Sequence, residues 1–161
     1  MQKTATHIRE IIEKVMPILE KISDENASLK PQPSKWSKKE IIGHLIDSAC
    51  NNQQKFVRTM ANSHTDFVGY TQDFWVENQA YNLANWQDLL SFWQNYNLHI
   101  AHIIENVLPE KLKNTISIQG SEPFTLAFIM SDYAEHLKHH LKQILPDADF
   151  LENKFGNVYN A

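Results

Sequence analysis

The sequence has 161 residues, a formal net charge of −4 and one cysteine. A chain of this length can bury a hydrophobic core without stabilising cross-links, so we expect one domain over residues 1–161. A single cysteine excludes a disulfide framework. No basic stripe stands out, which argues against nucleic-acid binding because phosphate contacts supply most of that affinity. The sequence has no apolar run of membrane-spanning length and no signal-peptide core at its start. We therefore expect a cytoplasmic protein without a membrane partner.

Glycine is scarce and strand-like alternation is almost absent, which predicts an all-α protein. The first helix is predicted over residues 4–24, with Pro17 expected to bend it. A break at residues 31–34 separates it from a second helix over residues 37–61. The second helix starts with a capping box, in which Ser37 and Glu40 each satisfy a backbone donor of the first turn.

The second half of the chain predicts two more helices after a long crossover. Residues 63–85 are aromatic and aperiodic, so we predict a crossover packed on the bundle, with a short helix at 73–80. The third helix is predicted over 85–108 from a heptad of Leu89, Trp93, Tyr96, Ile100, Ile103 and Val107. A brief extended segment is expected at 114–119. The fourth helix is predicted over 122–145, with Ser121 and Pro123 at its start.

These elements predict a four-helix bundle with a long crossover between helices two and three. The remaining residues, 147–161, form a polar tail in which Phe155 and Tyr159 are candidate anchors.

Two histidines in the fourth helix have the spacing of metal ligands. His136 and His140 are four residues apart, which stacks their imidazoles on one helical face, where both can reach one divalent ion. His140 is predicted within, and His136 beside, an apolar stripe of Leu126, Met130, Tyr133, Leu137 and Ile144. Histidines on an apolar face are often hydrogen-bonded core residues instead, so the pair alone leaves both interpretations open.

A third histidine is predicted to face inward from another helix. His44 lies two turns into the second helix, beside Ile41 and Ser48 and at the edge of an apolar stripe. An inward histidine from a different helix would supply the third protein ligand that a metal site needs in addition to the pair.

The motifs resemble the DinB-like (YfiT-like) superfamily of four-helix proteins. The resemblance is carried by Trp36-Ser37-x-x-Glu40-x-x-x-His44-Leu45-x-Asp47, by His136-x-x-x-His140-x-x-Gln143-Ile144, and by a crossover stretch of Asp73-Phe74-Trp75-Val76-x-x-Gln79-x-Tyr81. It implies a three-histidine site for a divalent metal ion, commonly zinc, nickel or iron, at His44, His136 and His140.

The resemblance also implies an activity. Three imidazoles leave at least one coordination position open, as in catalytic sites. Members of the superfamily include transferases that use a low-molecular-weight thiol against a small-molecule electrophile, and a minority of hydrolases. The sequence shows no obvious general acid or base, so two rivals stay open: a non-catalytic metal-binding or dimeric bundle, and a structural module without metal. A homodimer is implied by the resemblance, with Trp75 and Trp86 as candidate exposed aromatics.

Other polar residues are candidates for a role beside the three histidines. Asp47, Asp132 and Gln143 are candidates to orient the histidines, although all three could equally be ordinary helix-surface residues. His139 should point outward, and His99 and His102 are expected to be surface or hydrogen-bonded residues. Cys50 lies off the His44 face, which favours a buried, inert thiol.

Overall fold

The computed structural model describes residues 1–153, and four long helices account for most of them. These are α1 (Gln2–Leu19), α3 (Lys38–Ala61), α5 (Trp86–Glu105) and α6 (Leu126–Ile144), accompanied by short helices α2 (Asp24–Ser28) and α4 (Gln72–Asn78). Short 3₁₀ helices cover Tyr81–Leu83, Pro109–Lys111 and Asp149–Leu151. Helix α1 packs mainly on α5, while α3 packs on both α5 and α6. The prediction of a four-helix bundle with a long crossover is confirmed, and the tail residues Phe155 and Tyr159 lie outside the described residues.

A small three-stranded sheet accompanies the helices. Its strands are β1 (His64–Phe67), β2 (Thr115–Ile118) and β3 (Phe124–Thr125), with β1 parallel to β2 and β2 antiparallel to β3. The extended segment expected at 114–119 is thus β2, whereas the β1 strand inside the crossover was not predicted. Strands of two to four residues are too short to show an alternating pattern, and β1 pairs with a segment distant in the chain.

Two predicted helix ends differ most from the observed ones, and the caps at these positions explain both. Helix α1 ends at Leu19, and Ser23 caps the separate helix α2 by accepting the backbone N–H of Asn26 at 3.2 Å. The fourth long helix begins at Leu126 instead of 122, because the two residues before it pair with β2. Thr125 is its cap, accepting the N–H of Phe128 at 3.2 Å. The predicted start residues, Ser121 and Pro123, therefore precede the strand and the helix.

The buried stripe of α5 follows the helical period rather than a strict heptad. Leu89, Trp93 and Ile100 are buried as predicted, but the stripe then continues through Asn97 and Ile104 in place of Tyr96 and Ile103, which are half-buried. A straight helix drifts away from a seven-residue repeat, which explains the one-residue offset. Buried Asn97 is satisfied because its Nδ2 donates to the Trp93 carbonyl at 2.8 Å and its Oδ1 accepts the Tyr133 hydroxyl at 2.6 Å.

The crossover is fastened to α3 directly beside His44. The Tyr81 ring lies against the α3 backbone at Gly43, where any Cβ would overlap the ring. One helical turn later, Oδ1 of Asp47 accepts hydrogen bonds from the Tyr81 hydroxyl at 2.7 Å and from Nε2 of Gln79 at 2.8 Å. This clamp sets the position of the crossover relative to the histidine-bearing helix.

Candidate metal centre

The structure brings together the three histidines singled out from the sequence. His44 comes from α3, and His136 and His140 come from α6. One nitrogen from each ring lies within 4.8 Å of the other two, and the Nε2 atoms of His44 and His136 are 3.4 Å apart. The capping box at the start of α3 is present as predicted, with Glu40 accepting the Ser37 N–H at 2.7 Å. It fixes the first turn of α3 and thereby the face on which His44 emerges.

The three rings differ in burial. His44 is fully buried, whereas His136 and His140 are partly buried. The sequence predicted His140 within the apolar stripe of α6. In the structure the stripe continues through Leu141 instead, and His140 lies at its edge. The edge position leaves the α6 pair facing a cleft, while His44 closes the site from the core side.

All three imidazoles are neutral near pH 7. Burial lowers the pKa of His44 to about 3, helped by the neighbouring His140 and His139. Burial likewise lowers the pKa of His140 to about 4, with His139 adding to the effect and Gln143 opposing it. The pKa of His136 also lies well below its usual range, again chiefly through burial. Neutral rings offer the lone pairs that a metal ion requires.

The spacing of the His44 and His136 nitrogens fits a shared divalent ion. Nitrogen ligands at about 2.0–2.1 Å from a tetrahedral ion are about 3.3–3.4 Å from each other. The separation of 3.4 Å between the His44 and His136 Nε2 atoms matches this value. A set of three histidines suits zinc, nickel and iron alike, and leaves at least one position for a water or a substrate atom.

Ser48 and Trp36 surround the histidines, and the sequence had given neither of them a role. The Ser48 hydroxyl lies 3.4 Å from Nδ1 of His136, and Asn52 donates to the same hydroxyl at 3.3 Å. The Trp36 ring centroid lies 5.0 Å from that of His44 and 6.4 Å from that of His140. The four-residue spacing of His44 and Ser48 was the only available sign for Ser48, because its partner lies on another helix.

The three candidate orienting residues have different surroundings. Asp47 bonds to the crossover residues Gln79 and Tyr81 rather than to an imidazole. Asp132 lines the cleft together with His136. Gln143 is exposed, with its Nε2 3.4 Å from Nε2 of His139, and it also influences the pKa of His140. The contacts of Asp47 therefore indicate that it positions the crossover.

Several expectations for individual side chains need correction. His139 does not point away from the site but lines the cleft, with its ring centroid 5.0 Å from that of His140. Cys50 is half-buried instead of buried. Trp86 is 1% exposed and donates its indole N–H to the Leu19 carbonyl, so it cannot serve a dimer surface. His99 and His102 are exposed, as expected.

Two clefts meet at His140. The first, here called the α3–α6 cleft, has a volume of about 550 Å³ and is lined by polar residues of α3 and α6, by the crossover, and by β2 and its following turn. The second, the Trp36 cleft, has a volume of about 920 Å³ and runs along the segment before α3, past Lys35 and Lys38. Both clefts include His140 and Asp73 in their walls, so His140 is accessible from each of them.

Comparison with known proteins places the chain in a family. The sequence model of the DinB superfamily matches residues 7–144. The chain belongs to the DinB superfamily. No curated protein matches it in sequence. Among solved structures, the DinB-type fold of YfiT from Bacillus subtilis matches with a TM-score of 0.80 and 19% sequence identity, covering 89% of this chain and 83% of that one. YfiT is described as a probable metal-dependent hydrolase with an unusual four-helix bundle topology.

The family match confirms the resemblance drawn from the histidine motifs, and the similarity to YfiT confirms the bundle fold. Within residues 1–153, no helix is long and apolar enough to cross a membrane.

Proposed function

We propose that this DinB-superfamily protein is a divalent-metal-dependent enzyme that holds its ion through His44, His136 and His140. The observation that carries the proposal is the convergence of three neutral imidazoles from two helices, with one nitrogen of each ring within 4.8 Å of the other two. Burial lowers the pKa of all three histidines, so each ring is neutral near pH 7 and offers a lone pair to the ion.

The ion would lower the pKa of a bound water or thiol, so that a nucleophile forms near neutral pH. The protein's own residues supply the setting for this chemistry. Ser48 holds His136 by its second ring nitrogen, which fixes the orientation of the ring. Trp36 covers His44 and His140 from one side, and the α3–α6 cleft admits the reactants from the other.

The favoured reaction is transfer of a low-molecular-weight thiol to a small electrophile. Such a transfer brings two organic molecules to one ion, and the two clefts that share His140 provide a separate place for each. Hydrolysis is the second candidate, because the structurally similar YfiT is described as a probable metal-dependent hydrolase. In hydrolysis only one organic substrate occupies the clefts. A non-catalytic metal-binding or dimeric bundle is the alternative without turnover.

The first test is the metal content of protein purified without an affinity tag, measured by mass spectrometry. We expect near-stoichiometric zinc, nickel or iron in the wild type and none in the double variant His136→Ala/His140→Ala. The matched control is His99→Ala/His102→Ala, which removes two exposed histidines of α5 and should keep the metal. Absence of metal from the wild type after incubation with zinc or nickel would overturn the proposal.

The second test separates the reactions. The metal-loaded protein is incubated with small electrophiles in the presence and absence of a thiol, and the products are identified by mass spectrometry. Thiol adducts that disappear in a folded His140→Ala variant support the transferase. Water-derived products formed without thiol support the hydrolase. Full metal occupancy with neither product supports the non-catalytic alternative.

A further inference from the structure

The two clefts that meet at His140 differ in the charge of their walls. Apart from histidines, the charged residues of the α3–α6 cleft are one lysine and two carboxylates, namely Lys55, Asp73 and Asp132. Those of the Trp36 cleft are three lysines and one carboxylate, namely Lys30, Lys35, Lys38 and Asp73. The formal charges therefore favour an anion in the Trp36 cleft and disfavour one in the α3–α6 cleft.

Pairing within the protein accounts for one of the three lysines of the Trp36 cleft. Lys30 Nζ lies 2.8 Å from Oε1 of Glu40, in the first turn of α3. Lys35 and Lys38 form no ion pair with a carboxylate in the described part of the chain. Asp73 balances one of these two charges, so the walls keep a surplus of one positive charge. This surplus matches a monoanion better than a phosphate dianion.

Apolar side chains line the same cleft, which distinguishes its two lysines from ordinary surface charges. These apolar residues include Leu29, Pro31, Trp36 and Pro146. Leu29 is 59% exposed, so a ligand can cover it. Trp36 is half-buried, with its ring centroid 5.0 Å from that of His44, so the ring extends from the histidines to the cleft. An exposed apolar wall beside a surplus positive charge fits a ligand with an apolar body and an anionic end, and the volume of about 920 Å³ is that of a small-molecule site.

We infer that the Trp36 cleft binds a small amphipathic monoanion, whose apolar body lies against Leu29 and Trp36 and whose anionic group lies at Lys35 and Lys38. That this ligand is a reactant rests on the proposed function, because His140 connects the cleft to the candidate metal centre. The inference assigns a substrate class to this cleft and makes Lys35 and Lys38 residues that determine specificity.

The test is calorimetric titration of zinc-loaded protein with phenylalkanoates, from phenylacetate to phenylvalerate, beside the neutral primary amides of equal length. We expect at least one carboxylate to bind about tenfold more tightly than its amide, as a charge-assisted hydrogen bond predicts. Lys35→Gln/Lys38→Gln should abolish this preference by weakening the binding of the carboxylate alone. Leu29→Ser should weaken the binding of both compounds about threefold, because it removes part of the apolar wall that both would cover.

The control Lys3→Gln/Lys113→Gln removes two exposed lysines outside both clefts and should keep the preference, although it changes the net charge equally. Melting temperature and zinc content are measured on every variant. A wild type without carboxylate preference overturns the inference. So does a preference that survives in Lys35→Gln/Lys38→Gln, because the carboxylate then binds the zinc or another surface. A wild type that takes up no zinc contradicts the proposed function instead, and the same titration of metal-free protein then decides whether the cleft binds the anion.

Discussion

Gly43→Ala sets two opposing effects against each other. Alanine in a helix interior is favoured over glycine by about 1 kcal/mol. Against this, the added Cβ would overlap the Tyr81 ring, which is 8% exposed and donates its hydroxyl to Asp47 at 2.7 Å. Moving the ring away loses part of its burial, about 1–2 kcal/mol, and a hydrogen bond worth about 1–3 kcal/mol. The steric effect should win, with a net loss of about 1–4 kcal/mol in the free energy of unfolding.

Urea denaturation of four proteins tests this reasoning: wild type, Gly43→Ala, Tyr81→Ala and the double variant. In the Tyr81→Ala background the ring is gone, so Gly43→Ala should become neutral or stabilising by up to about 1 kcal/mol. The double-mutant cycle then isolates the contact between position 43 and the ring. Equal destabilisation by Gly43→Ala in both backgrounds would refute the steric argument, as would stabilisation in the wild-type background.

Three further predictions concern the cleft. Ser48→Ala should weaken zinc binding about tenfold, measured by competition with a chromophoric chelator, whereas Ser131→Ala, an exposed serine of α6, should not change it. Chelation of the metal should lower the melting temperature of the wild type and leave that of the His136→Ala/His140→Ala variant unchanged, because a ligand of the native state stabilises it by mass action. Burial lowers the pKa of Lys55 from 10.5 to about 8 in the folded protein. Between these two pH values Lys55 is protonated in the unfolded chain but mostly neutral in the folded one. The free energy of unfolding of chelator-treated protein should therefore increase as the pH rises from 8 to 9.5. Denaturation at both pH values should show a gain on the order of 1 kcal/mol per pH unit, and an equal gain in Lys55→Met would exclude this lysine as its source.

Local signals in the sequence were sufficient for much of the fold and for the histidines. The capping box of Ser37 and Glu40 marked the start of α3 because both halves of the motif lie within one turn. The four-residue spacing of His136 and His140 put both rings on one face of α6 for the same reason. The role of His44 followed from the combination of this pair with the family resemblance, since its partners lie more than ninety residues away.

Features that depend on distant partners were missed or misplaced. Strand β1 forms because β2 lies beside it, and the four residues His64–Phe67 carry no pattern of their own. The start of α6 moved to Leu126 because the preceding residues joined that sheet. Asp47 looked like an orienting residue for histidine by sequence position, but the crossover brings Gln79 and Tyr81 to it first.

The sequence by itself determined the helical periods, the capping signals and the presence of three histidines at family positions, because each of these depends on residues within a few turns. Tertiary structure alone decided that one nitrogen of each ring lies within 4.8 Å of the other two, that burial keeps the rings neutral, and that Lys55 lines the same cleft as His136 and His140. Distance, desolvation and shared cavities are properties of packed helices, and the order of residues along one helix does not contain them.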